Sequence, residues 1–318
     1  MKGTCKRFLS FPLLLFVTGC STSPKISPHE EAFLRFYQIA NNELQKANYR
    51  KALSLYLQAL REARKADDSE KIADTAYNAA LCYIVLGDYE ASESLLKEAL
   101  YELRRLGKSP VQIYLVQAAV AIRKKDWGRL DRLLNVSENS LHSKQAPNER
   151  CLIQLLKAEA ACLRNDLSEA EAALNEAKLY LEEVEDPLIK ARAFLIEGKL
   201  LCKEQSYLAA AEKYDRAASI YRKLENWRNM ATCLEGAAFA YKHTDRAERA
   251  VDRAYRAART LYALGETTHA LSVLQSFLPP HSDQKDLKKV YAPLIRLFKE
   301  IRSQLKEENP ENSGDSRK

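Results

Sequence analysis

The five histidines are spaced too widely for a metal site on a helix. Such a zinc site needs two histidines about three to five residues apart, so that both rings reach one ion from the same face. No two histidines of the chain meet that spacing; they are His29, His142, His243, His269 and His281. The sequence therefore predicts no metal site.

Glycine is also too sparse for phosphate-binding loops. The chain has 9 glycines in 318 residues, and no two are placed to form a GxGxxG turn or a GxxxxGK[ST] loop. Those motifs let backbone N–H groups approach a phosphate, so dinucleotide and P-loop chemistry are excluded and no cofactor is predicted. The adjacent carboxylates Glu182 and Glu183 are expected at the solvated surface. We expect the protein not to be an enzyme.

Cysteine is the remaining reactive residue type. Five cysteines follow the first twenty residues: Cys82, Cys151, Cys162, Cys202 and Cys233. An odd number cannot all pair. Cys162 and Cys202 lie one period apart in the repeat described below, so they are expected on neighbouring helices. The axes of packed helices are about 8–10 Å apart, whereas a disulfide needs Cα atoms within about 7 Å, so this pair is not expected to form a disulfide. We predict mainly free, buried thiols, because cysteine packs as a small apolar residue.

The N-terminal segment has the features of a secretory signal. Three basic residues precede an apolar run, residues 8–17, that is too short to span a bilayer as a helix. The run ends at residues 17–20, Val-Thr-Gly-Cys, which resemble the lipobox of bacterial lipoproteins. The resemblance implies a signal peptide over 1–19 and acylation of Cys20, with chains such as palmitate. The alternative is an ordinary exported protein with an incidental cysteine.

The same resemblance implies a place in the cell envelope. More than one acyl chain would anchor the protein stably in a membrane. Ser21 stands where lipoproteins of the inner membrane often have Asp, which favours the outer membrane, facing the periplasm. Residues 20–28 form a lipidated tether, and the segment from Ser21 reaches at most about 27 Å. Removal of residues 1–19 takes away three basic residues and lowers the net charge from +7 to +4. The basic stretches that remain are interleaved with acidic residues, so no nucleic-acid partner is expected.

One pattern recurs along the rest of the chain. The composition, 46% hydrophobic and 29% charged with little Gly or Pro, predicts an almost entirely helical protein. An aromatic or apolar residue after a turn signal recurs at intervals of 40, 38, 40, 40 and 40 residues, at Tyr49, Tyr89, Trp127, Leu167, Tyr207 and Ala247. A small residue lies nine positions before each of these anchors, at Ala40, Ala80, Ala118, Ala158, Gly198 and Ala238. Since helices cross closely where one of them lacks bulk, each unit is predicted to be a helical hairpin.

This pattern resembles the tetratricopeptide repeat, although the period is about 40 residues instead of the family's usual 34. The resemblance implies an all-α fold, a right-handed α-α solenoid of about six such hairpins over residues 29–266. An amphipathic segment that follows predicts capping helices over 267–306, with a kink at Pro293. The polar residues 307–318 are expected to be disordered.

The resemblance also places the first helix of every unit on a concave, peptide-binding groove. Asn41 and Asn78 match the two asparagines of the family's carboxylate clamp, but Tyr37, Gln112 and Val116 stand where the clamp has cations, so capture of a terminal carboxylate is not expected. The groove centre is interpreted as apolar, which suits a hydrophobic or amphipathic peptide; alternatively, these leucines pack between units. The predicted groove residues are Tyr37, Asn41, Tyr77, Asn78, Leu115, Leu152, Leu155, Leu195, Lys199 and Phe239.

The sequence thus predicts a lipid-anchored periplasmic scaffold that binds another protein or peptide in envelope assembly, secretion or pilus biogenesis. The alternative is a ligand-binding accessory lipoprotein of a transport system, whose groove takes a small amphiphile. A cavity enclosed on several sides favours the alternative, and an open groove favours the scaffold. The sequence leaves the partner's identity and the oligomeric state open.

Overall fold

The computed structural model describes residues 27–141, 146–278 and 285–308. These residues form fourteen α-helices and no β-strand. The predicted signal peptide, Cys20, most of the tether and the tail from residue 309 lie outside the described residues. Among the residues that are described, no helix is both long enough and apolar enough to cross a membrane.

The helices follow one another as consecutive antiparallel pairs. The first four pairs are α1 (Pro28–Gln45) and α2 (Tyr49–Lys65), α3 (Ser69–Leu86) and α4 (Tyr89–Arg105), α5 (Val111–Lys124) and α6 (Trp127–Asn139), and α7 (Pro147–Arg164) and α8 (Leu167–Leu181). The last three are α9 (Pro187–Lys203) and α10 (Tyr207–Lys223), α11 (Trp227–Lys242) and α12 (Ala247–Ala263), and α13 (Thr267–Phe277) and α14 (Lys285–Glu308).

The predicted anchors are the first residues of the second helix in each of the six units. In three units an aspartate precedes the anchor, and its side chain accepts a hydrogen bond from a backbone N–H of the first turn. This contact satisfies one of the donors that a helix N-terminus leaves free. In the first five units the residue two positions before the anchor takes a left-handed backbone conformation, with Gly87 in the second unit (φ 86°). The turn chemistry therefore sets where each second helix begins.

The small residues lie at the helix crossings, as predicted. The five alanines of the set are completely buried, at positions 40, 80, 118, 158 and 238. In the fifth unit Gly198 faces the ring of Tyr214, and a Cβ atom on Gly198 would come within 3.0 Å of it. Gly236 of the next unit faces the same ring, at 2.8 Å. Tyr214 is thus held between two glycines of neighbouring units.

The solenoid curves with its odd-numbered helices inside. Helices α5, α7, α9 and α11 contact one another in succession along the array, as expected for the shorter path on the inside of a curve. The second helices pack on the first helices of their own and the following unit. At the C-terminal end α14 packs on α12 and α13 and buries Leu294, Leu297 and Ile301 in the same core cluster. The array is an all-α solenoid of hairpins closed by a terminal helix.

The first unit also meets the sixth. The guanidinium of Arg228, in the first turn of α11, lies 5.9 Å from the centre of the Tyr49 ring at the start of α2. Burial, the largest influence, raises the pKa of Tyr49 in spite of the nearby Arg228 charge. The curve of the array therefore brings the turn of the first hairpin to the beginning of the sixth one.

Candidate binding face

The inner face of the solenoid presents one row of side chains with solvent access. We call it the inner row; its members lie eight residues before the anchors. They are Asn41, Leu81, Ala119, Glu159 and Lys199, all half-buried, and Phe239, which is 47% exposed. Three of the six, Asn41, Lys199 and Phe239, belong to the predicted groove. The row crosses six consecutive units, so it offers an extended surface instead of a single pocket.

Two predicted groove residues are not on this surface. Leu155 is completely buried and Leu115 is 5% exposed. Leu155 belongs to a core cluster with Leu174 and Ile196, and Leu115 to one with Leu130. The prediction that these two leucines are exposed in the groove is wrong. The alternative, that they pack between helices of neighbouring units, is correct. The physical reason is that both leucines lie twelve residues before an anchor, and in the middle of the array the side chains at this position face neighbouring helices.

Leu152 and Leu195 are half-buried and lie against the same cores. They contribute apolar surface beside the inner row without forming an apolar centre.

The N-terminal end of the inner face is a network of tyrosine and asparagine. Asn78 Nδ2 donates to Tyr37 Oη at 3.0 Å, and Tyr56 Oη donates to Asn41 Oδ1 at 2.5 Å. Burial, together with the charge of Asp74, raises the pKa of Tyr37. Both predicted asparagines therefore already hold a partner within the fold, and each keeps its other amide group for a ligand.

Tyr77 lies half-buried next to this network, and burial raises its pKa as well.

The centre of the inner face is charged. Glu159 accepts hydrogen bonds from Lys199 Nζ at 2.7 Å and from Arg192 Nη2 at 3.1 Å. Burial alone would raise the pKa of Glu159, but the two cations, by their charge and hydrogen bonds, lower it to about 2. The three groups carry one negative and two positive charges. The expectation of an apolar centre is therefore corrected to a charged one with a surplus positive charge.

Aromatic rings collect at the C-terminal end of the inner row. The ring of His243 lies 4.5 Å from that of Phe239 and 4.6 Å from that of Tyr207. Nearby, the Glu235 carboxylate lies 3.1 Å from His269 Nε2. Tyr207 and His243 were absent from the predicted site. The spacing of four residues between Phe239 and His243, which follows α11 directly, was a signal that could have revealed His243. No comparable spacing marks Tyr207, which begins α10.

The possible metal ligands and the thiols of the described residues are arranged as follows. No group of three His, Cys, Asp or Glu side chains in this part of the chain is arranged to hold a metal ion. All five predicted free cysteines are unpaired in the structure. Burial raises the pKa of Cys82 and Cys151 to about 11 and that of Cys233 to about 12. These thiols stay protonated near neutral pH and are poor nucleophiles.

Comparison with known proteins identifies the fold. No protein-family model matches the chain, and no curated protein matches it. Among solved structures, BtubC (BKLC) from P. vanneervenii is similar with a TM-score of 0.50, 16% identity, and coverage of 74% of this chain and 96% of that one. A chain of the APC/C hetero-tetramer Cut9–Hcn1 is similar with a TM-score of 0.53, 16% identity, and coverage of 79% and 47%.

The chain folds as an all-α solenoid of helical hairpins that resemble tetratricopeptide repeats. A tetratricopeptide repeat protein from Parabacteroides merdae also matches, at 14% identity over 83% of this chain and 99% of that one, with a TM-score of 0.39. At these identities the likeness concerns the fold alone.

Proposed function

We propose that this tetratricopeptide-repeat solenoid is a scaffold that holds a protein or peptide partner on its inner face. The observation that supports the proposal best is the inner row, a continuous, solvent-accessible line of side chains across six units. A rigid, curved surface of this kind suits an extended segment, because successive units contact successive residues of the partner.

The three regions of the inner face suggest how a partner is held. Free amide groups of Asn41 and Asn78 can hydrogen-bond a peptide backbone. The surplus positive charge around Arg192 and Lys199 favours an acidic side chain at the centre. Phe239, exposed and flanked by rings, is suited to act as an apolar anchor for the partner.

We further propose that the scaffold is a lipoprotein anchored through Cys20 in a bacterial membrane, most simply the outer membrane facing the periplasm. The support is the sequence of the first twenty residues and the short distance from Cys20 to the start of α1 at Pro28. The process we propose for it is envelope assembly, secretion or pilus biogenesis. The open, charged inner face favours this role over that of an accessory protein that encloses a small ligand in its groove.

Truncation of the proposed anchor tests the binding face. Phe239→Ala should abolish co-purification of the partner from cells, since loss of an interface hot spot costs at least about 2 kcal/mol. The matched control is Tyr101→Ala on α4, a second helix, where Tyr101 is 63% exposed. Circular dichroism should show both variants as helical as the wild type. If the partner stays bound to folded Phe239→Ala, the inner row is not the binding surface.

The anchor is tested separately. Cys20→Ala should yield an unacylated protein found outside the membrane fraction, whereas Cys5→Ala, a cysteine inside the predicted signal peptide, should change neither property. Acylation detected by mass spectrometry in the Cys20→Ala protein would contradict the lipoprotein proposal without affecting the scaffold proposal.

A further inference from the structure

A second candidate site lies away from the inner row, where the first unit meets the sixth. It is a cleft of about 900 Å³ between the end of α10, the beginning of α11, the end of α12 and the turn after α1. We call it the cationic cleft. Its walls carry Lys46, Arg222, Arg256 and Arg259, and its lining includes no carboxylate. Four positive charges without an acid on a shared concave surface create a positive potential that attracts an anion.

The arginines of the cleft are weakly compensated by the rest of the described chain. Arg222 and Arg259 have no carboxylate within 4.0 Å among the described residues. Arg256 reaches only Asp252, at 3.5 Å, and Asp252 is also paired with Arg253. Lys46 reaches Glu43 at 3.6 Å, and Glu43 is closer to Lys51, at 3.1 Å. The positive charge of the cleft is therefore not neutralised by the fold.

The equivalent positions of the first two units carry an ion pair instead of two arginines. In the first two units Arg64, the sixteenth residue of α2, forms two hydrogen bonds of 2.7 and 2.6 Å with Glu98, the tenth residue of α4. The same two positions in the fifth and sixth units are occupied by Arg222 and Arg256. A stabilising ion pair between adjacent second helices is thus replaced by two like charges. Departures of this kind from a local rule are expected at functional sites.

The floor of the cleft is apolar. Trp227 lies half-buried at the start of α11, and Met230 and Leu234 lie beneath on the same helix. The volume falls within the range of small-molecule sites, about 300–1,000 Å³, and such sites combine apolar walls with a few polar groups that fix orientation. A ligand of this cleft must therefore carry a negative charge and an apolar body.

From this geometry we propose that the cationic cleft binds a small amphiphilic anion, a phosphate or carboxylate head on an acyl or aryl body. The guanidinium groups of Arg222 and Arg256 bind the head, since their planar donors match phosphate and carboxylate oxygens. The apolar body covers Trp227 and the side chains beneath it. Because the cleft joins the first and sixth units, the bound ligand also links these two units of the solenoid.

The test uses Trp227 fluorescence in the folded protein. A Trp127→Phe background leaves Trp227 as the only tryptophan of the chain, and the probe is dodecyl phosphate below its critical micelle concentration. Saturable fluorescence change is expected with dodecyl phosphate. At least tenfold weaker responses are expected with inorganic phosphate, which lacks the apolar body, and with dodecyl maltoside, which lacks the charge. Equal responses to either control compound would overturn the proposal.

Arg256→Glu gives the decisive variant. It recreates between α10 and α12 the arrangement of Arg64 and Glu98, so it should raise the melting temperature while weakening dodecyl phosphate binding at least tenfold. The control with the same charge change is Arg61→Glu on α2, an exposed residue that does not line the cleft, and it should bind as the background does. Undiminished binding by Arg256→Glu overturns the proposal.

Two further measurements separate the remaining explanations. If Arg256→Glu is less stable than the background, a loss of binding could reflect a damaged fold, and Arg222→Gln is then tested instead. Unchanged binding of dodecyl phosphate by Arg222→Gln would refute the site. Vesicles of anionic phospholipid distinguish a membrane surface from a single bound molecule. A response to vesicles without any response to monomeric dodecyl phosphate would contradict a small-ligand site.

Discussion

The ring of Tyr214 makes the glycine at position 236 a sensitive test of how the units pack. Tyr214 is a buried residue of α10, and the glycines at positions 198 and 236 lie against its ring. A methyl group added by Gly236→Ala would lie 2.8 Å from ring atoms of Tyr214, closer than packed atoms approach. The ring also lies close to Gly198, where an added Cβ would be only 3.0 Å away, so little free space surrounds it.

Two opposing effects set the size of the change. Overpacking a tight core costs about 1–3 kcal/mol, whereas alanine is favoured over glycine inside a helix by about 1 kcal/mol. The difference is a net loss of about 0–2 kcal/mol. Because the new Cβ would lie as close as 2.8 Å to the ring of Tyr214, we expect the upper half of this range, a free energy of unfolding lower by about 1–2 kcal/mol. For an array of this size the melting temperature should fall by about 2–6 °C.

Thermal and urea unfolding followed by circular dichroism measure the effect. Gly128→Ala on α6 is the matched control, because its new Cβ would meet only the Arg132 side chain, at 3.8 Å; this variant should be as stable as the wild type or more so. In combination with Tyr214→Leu, the Gly236→Ala change should cost less than it does alone. A Gly236→Ala protein as stable as the wild type would refute the packing described around Tyr214.

Three other predictions concern single residues of the array. Because the pKa of Glu159 is lowered from 4.5 to about 2, its charged form stabilises the fold above about pH 4.5, and this stabilisation is lost as the pH falls toward 2. Glu159→Gln should therefore lower the free energy of unfolding, measured in urea at pH 7, by on the order of 2 kcal/mol. The difference between the variant and the wild type should vanish near pH 2. A protein beginning at Ser27 should show five thiols to a thiol reagent when denatured but react slowly when native, and a Cys162–Cys202 disulfide would contradict this. Leu155→Glu should lose helicity because it buries an unpaired charge, whereas half-buried Leu195→Glu should stay folded, as circular dichroism can show.

The repeat architecture was predictable because its signals are local. The turn residues before Tyr89, Trp127 and Leu167 specify where the second helices start, and the small residues mark the crossings. Both depend on contacts within one hairpin or between adjacent hairpins, which a period in the sequence records directly.

The binding face was only partly predictable. Whether Leu115 and Leu155 are exposed depends on how tightly the array curves, and that angle is the sum of many small contributions from every interface. The meeting of Tyr49 with Arg228 depends on the same curvature, since these residues lie far apart in the chain. Lys199 was predicted on the inner face, but its grouping with Arg192 around the carboxylate of Glu159 depends on the distances between α7 and α9.

The account rests on a partner held along the inner row, and site-specific photocrosslinking in the producing cells tests this most directly. A photoreactive amino acid is placed at position 239 on the inner row or at position 101 on α4, and the crosslinked products are identified by mass spectrometry. We predict one recurrent protein partner from position 239 that is absent from position 101. The same products from both positions, or products from position 101 alone, would contradict the assignment of the inner face as the binding surface.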